Sequence, residues 1–155
     1  MRIALLAAVC LLSACQSGRH IDHTGEDAAT LVFSSDGLPA QPVICVPGKG
    51  LQETALSVGL DGYKALEDLN EAMKKSPEVR ASVAAGTSVT AGFRYTRRDR
   101  FSRDRCVVMV RFDTEAGETY QLHLEKAPEC TISATRVDGD KRVPLTVSES
   151  AATCD

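Results

Sequence analysis

Six arginines crowd into twelve residues of this chain: Arg94, Arg97, Arg98, Arg100, Arg103 and Arg105, interrupted by Asp99 and Asp104. Guanidinium groups grip carboxylates and phosphates through two parallel hydrogen bonds, so the chemistry such a cluster offers is recognition of an anion. The plain alternative is a solvated loop whose charge keeps neighbouring strands from pairing with other chains. The chain carries a net charge of −3, so the cluster runs against the general balance. A nucleic-acid binder would need a dominant basic face, and none is indicated. The other candidates are thinner. His20 and His23 lie three apart but have no further ligand at a fixed spacing, so neither a metal nor a cofactor is expected. His123 alternates outward beside Gln121 and Glu125 and reads as a surface residue. No G-x-S-x-G elbow, phosphate-binding glycine loop or marked carboxylate pair occurs. An enzyme is not expected.

The cysteines carry a second kind of chemistry. A single charge, Arg2, precedes an apolar run from Ile3 to Leu12. As a helix that run spans roughly 15 Å, about half a hydrocarbon core, so it reads as a secretory signal rather than a permanent anchor. It ends in Leu12-Ser13-Ala14-Cys15, which resembles the lipobox of bacterial lipoproteins. The resemblance implies that residues 1–14 are a signal peptide removed before Cys15. It also implies that the Cys15 thiol carries diacylglycerol and that the new amino terminus is usually acylated as well. Gln16 stands where an Asp would retain such proteins at the inner membrane of enteric-type Gram-negative cells, so the resemblance implies the periplasmic face of the outer membrane. Lipid at Cys15 is then the expected membrane partner.

Cys45, Cys106, Cys130 and Cys154 remain, an even number in an oxidising compartment, and read as two disulfides. Three pairings are possible. The reading leans to Cys45–Cys154 with Cys106–Cys130. Against the second bond stands a geometric obstacle: in a simple meander those two cysteines flank one strand and lie ~10 Å apart, beyond the roughly 7 Å a disulfide tolerates.

These residues need elements to hold them. Residues 15–28 are polar without apolar period and read as a flexible tether, leaving 29–155 as one domain. Thr30–Ser34 and Pro42–Val46 read as strands, Pro42 confining the second to an edge or to its own first position. Over about 62–75, Leu66, Leu69 and Met73 form the apolar stripe of one amphipathic helix, closed by Ser76-Pro77. From Val79 the period changes to two, through Val79–Val83, Val89–Tyr95, Val108–Phe112, Tyr120–Leu124, Cys130–Val137 and Lys141–Val147. Asp113–Gly117 reads as a hairpin turn, and Asp138-Gly139 as a type I′ turn. The arginines fall between two strands, as a protruding mobile loop over 94–105.

The expected fold is mainly β: an antiparallel β-sandwich of about seven to eight strands with one inserted helix and two disulfides. The late part, with Cys106, a hairpin holding Gly117-x-x-Tyr120, and Cys130, is similar to small β-sandwich lipoprotein domains of unassigned function. The expected role is a lipid-anchored, periplasm-facing, non-catalytic binding or accessory module. Its arginine loop would meet an anionic partner, an envelope protein or an anionic lipid. One rival resembles the disulfide-bonded lipoproteins that inhibit lysozymes, although a basic loop suits a basic target poorly. The other is a hydrolase whose site leaves no motif.

Overall fold

The structure is a computed structural model that describes residues 18–59, 64–98, 103–125, 130–150 and 154. In chain order the elements are β1 (Gly18–Arg19), β2 (Ala28–Ser35), β3 (Ala40–Val46), β4 (Gly50–Glu53) and β5 (Ser57–Val58). Helix α1 (Lys64–Ala72), β6 (Lys75–Ser76), β7 (Glu78–Ala84), β8 (Ser88–Arg98) and β9 (Arg103–Asp113) follow. The chain continues through β10 (Thr119–Glu125), β11 (Thr131–Asp138), β12 (Lys141–Pro144) and β13 (Ser148–Ser150).

Two sheets result. One runs β1-β4-β3-β8-β9-β13, with β5 and β6 attached beside β3; the other runs β12-β11-β10-β2-β7. Their inner faces close over Leu31, Phe33, Ile44, Phe93, Phe112 and Leu122 with the other alternating apolar residues. Phe33 and Phe93 meet edge to face across the gap, ring centroids 5.6 Å apart. The architecture is the expected β-sandwich with one helix and two disulfides, Cys45–Cys154 and Cys106–Cys130. Most pairings are antiparallel, but β2 lies parallel to β10, β1 to β4 and β5 to β6.

The expected hairpin at 113–117 is instead a crossing between sheets. β9 pairs with β8, whereas β10 pairs with β2 and β11. The corner is fixed by Tyr120, whose hydroxyl accepts the Glu115 N–H at 2.9 Å while its ring packs on Phe112 at 5.4 Å. A tyrosine hydroxyl that ties back to upstream backbone turns a strand from one sheet to the other. The β7–β8 connection crosses at the same end, and Gly86 N–H donates to Thr114 O to join the two corners. This crossing removes the obstacle to Cys106–Cys130. With β10 in the second sheet, Cys106 on β9 and Cys130 before β11 meet across the sandwich, Cα atoms 6.4 Å apart.

Four other expectations change in detail. β3 is an interior strand, not an edge. Its Pro42 is tolerated because the β4 ladder stops at Val43–Glu53, and Pro42 O accepts the Thr54 N–H beyond it. At the 138–141 hairpin the loop residues are Gly139 and Asp140, and only Gly139 has a left-handed φ, +57°. A positive φ at the first central position alone is the type II′ pattern. Helix α1, Lys64–Ala72, buries Asn70 and leaves Leu69 about half exposed, as is Met73 just past its end. The tether expected through residue 28 is bonded from Gly18 onward. β1 extends the first sheet at β4, while Ser82 on the edge of the second sheet bonds Asp22 and His23.

Candidate functional site

Five of the six arginines, Arg94, Arg97, Arg98, Arg103 and Arg105, lie on the paired strands β8 and β9. Tyr95 is the last β8 residue paired with β3, but the β8–β9 ladder continues through Thr96–Arg105, Arg97–Asp104 and Arg98–Arg103. Two strands therefore run past the sheet, with 99–102 between them outside the described residues. Arg100 falls there, and so do Cys15 and the whole lipobox at the other end of the chain.

Register sorts the charges by face. Side chains on paired strands alternate sides with period two. The inward face carries Phe93, Tyr95 and Val108 of the core, and positions 97 and 104 continue it, an arginine opposite an aspartate. Positions 94, 96, 98, 103, 105 and 107 share the outer face. There Arg98 stands directly opposite Arg103, and Arg105 is exposed opposite Thr96. Like charges in directly opposed positions destabilise a ladder. At the base of the ribbon, Arg94 Nη1 pairs with Glu53 Oε1, so one arginine of the outer face is already neutralised. Val107, 37% exposed, adds an apolar spot beside it. What the linear sequence hid was this sorting: Asp104, adjacent in sequence to two arginines, belongs to the other face. Alternation counted back from the Phe93 core face would have found it.

His20 and His23 are bonded to the second sheet rather than carried on a free tether. The His20 side chain is largely covered by the second sheet, with Nε2 donating to Ser82 O at 2.9 Å. His23 Nε2 lies 2.7 Å from Asp27 Oδ1. That hydrogen bond, aided by Asp27's own backbone N–H, holds the Asp27 carboxyl below the usual aspartate range. Neither pair gathers into a metal site, and among the described residues no group of three metal-ligating side chains occurs.

His123 sits on the outer face of the second sheet, in a chain of hydrogen bonds that sequence spacing could not reveal. His123 Nδ1 is 2.9 Å from Ser34 Oγ and Nε2 is 2.9 Å from Asp36 Oδ1, while Gln121 Nε2 donates to Ser34 Oγ at 3.1 Å. Ser34 and Asp36 lie 87 residues or more from these partners and are brought close by the parallel β2–β10 pairing, which sets Ser34 opposite His123. The order serine, imidazole, carboxylate is that of a proton relay. However, Gln121 donates to the serine oxygen itself, and β2 is paired on both sides, so its backbone amides are spent in ladders. An acyl-transfer site needs such donors aimed at the developing oxyanion instead.

No protein-family model matches the chain, and comparison with curated proteins finds none similar in sequence.

Proposed function

We propose that this chain is a lipid-anchored, non-catalytic binding module of the bacterial cell envelope, held by Cys15 at the periplasmic face of the outer membrane. Its arginine ribbon, 94–105, is the surface that takes an acidic envelope protein. The observation that carries this reading is the β8–β9 register: it gathers Arg98, Arg103 and Arg105 positions on one outer face and puts the acid at 104 on the other. An anion bridging opposed arginines would relieve their repulsion through bidentate hydrogen bonds. Among the described residues the ribbon is two-stranded beyond Tyr95, so a partner can approach it without displacing a described neighbouring strand. β1 belongs to the same sheet and starts three residues after Cys15, at most about 11 Å of chain. Confinement beside the membrane raises the effective concentration of even a weak contact.

A photoreactive amino acid at position 96, in intact cells, tests this. The expected product is one protein band, lost in the Arg98→Ala/Arg103→Ala/Arg105→Ala form and weakened in a Cys15→Ser form that is released from the membrane. A band that survives the triple substitution would remove the arginines from the contact. Capture of lipid alone would make the ribbon a bilayer clamp and refute a protein partner.

A further inference from the structure

The outer face of the second sheet is hollowed where β10, β11 and β12 adjoin. A concavity of about 330 Å³ is lined by Gln121, His123, Ser133, Thr135 and Arg142. A second, of about 380 Å³, shares Gln121 and Arg142 and continues over Thr119 and Val137 toward Arg80. The register accounts for this gathering. Gln121 faces Thr135 and His123 faces Ser133, so two cross-strand pairs place four hydrogen-bonding side chains together. Arg142 is brought alongside by its pairing with Val137.

Two groups of side chains behave differently here. His123 and Gln121 are held from the side, along the β2 edge of the concavity, by Ser34 and Asp36. The Arg142 guanidinium and the hydroxyls of Ser133 and Thr135 make no hydrogen bond or ion pair with a described residue. No carboxylate lines the smaller concavity, which Arg142 borders, and Asp36 behind His123 is hydrogen-bonded to that imidazole at 2.9 Å. Where the second concavity does hold an acid, Glu78, that acid is paired to Arg80 at 2.7 Å. A fixed polar edge, free hydroxyls and one unpaired guanidinium suit a small ligand with an anionic oxygen group and further polar oxygens.

We propose that this concavity binds a small hydroxylated oxyanion, carboxylate or phosphate. Arg142 clamps the charged group, and Ser133, Thr135 and the Gln121 amide meet its remaining oxygens. The site lies on the opposite sheet from the arginine ribbon, so it stands or falls separately from the reading above.

The experiment is an NMR titration of the whole domain with inorganic phosphate and, separately, with galacturonate, at constant ionic strength. The side-chain signals of Gln121 and Arg142 are followed. Saturable shifts are expected with at least one probe, and the probe that saturates identifies the oxyanion as phosphate, carboxylate or either. Arg142→Ala should weaken the binding about tenfold or more, because it removes a charge-assisted hydrogen bond. Thr135→Ala, which leaves every charge in place, should weaken it by a smaller factor, and Arg98→Ala/Arg103→Ala should leave it unchanged. Shifts that stay linear for both probes, or equal affinity in the Arg142→Ala and Thr135→Ala forms and the parent, would overturn the site.

Discussion

At Gly92, in the middle of β8, the backbones of two strands come unusually close. A β-carbon there would lie 1.9 Å from Val108 O and 2.9 Å from Met109 Cα, both backbone atoms that cannot swing aside. Along the sequence Gly92 is only a polar place in an alternating strand, since spacing reports which face a residue occupies and not how near the next strand lies. Overpacking of a buried ladder moves the backbone itself. Gly92→Ala is therefore expected to cost about 3 kcal/mol, read from urea unfolding at unchanged m-value; a loss below about 1 kcal/mol would show that the approach relaxes freely. The arginines divide in a similar way. Their number was plain in the sequence, but the pairing of Arg94 with Glu53, 41 residues away, was not. Ser34 and Asp36 carried no signal at all as partners of His123, because a parallel pairing between remote strands leaves no local trace.

At the level of elements, the helix shows how far periodicity reaches. The 3.6-residue pattern over Leu66, Leu69 and Met73 located α1, since such spacing collects apolar side chains on one stripe. It did not tell which face would be covered. The structure covers Asn70, whose amide rests on Gly59, and leaves Leu69 and Met73 partly open. The helix also stops by a device the sequence does not advertise. Lys74 has a left-handed φ of +53°, and its carbonyl then accepts the Ser57 N–H. Glycine is the residue that ordinarily fills this place after a helix, because it lacks the β-carbon that penalises the conformation. Lys74→Gly should raise stability by about 1 kcal/mol in chemical denaturation, and a loss of similar size would mean that the lysine stem contributes packing that outweighs backbone strain. Strands were more legible than the helix face, because a strand with one buried side must alternate wherever it sits. Their partners were not, as β9 and β10 show.

Across the whole molecule, the two disulfides close loops of very different size. Cys45–Cys154 joins residues 109 apart, pinning the end of the chain to the interior strand β3. Cys106–Cys130 spans only 24 and ties one sheet to the other. If the bonds act mainly by restricting the unfolded chain, the longer contributes about 4.8 kcal/mol and the shorter about 3.5 kcal/mol. Paired Cys→Ala replacements, compared by urea unfolding, should lower stability in that order. A larger loss for the Cys106/Cys130 pair would show that holding the two sheets together matters more than loop length.

By itself the sequence determined the class of the molecule: alternating strands with one helix, cysteines enough for two disulfides, and an arginine cluster against an acidic background. These follow from local rules, in which side-chain period and residue type act over a few neighbours. Tertiary structure alone decided which strands share a sheet, and through that every contact of interest. The Tyr120 corner sent β10 away from β9, which let Cys106 reach Cys130 and set His123 beside Ser34. Register along β8 and β9 put positions 98, 103 and 105 on one face and positions 97 and 104 on the other. Strand pairing joins residues tens of positions apart by backbone hydrogen bonds that every residue type can make except where proline lacks the donor. Its outcome is therefore settled by how two apolar faces close over one core, and that choice is written nowhere in a single strand.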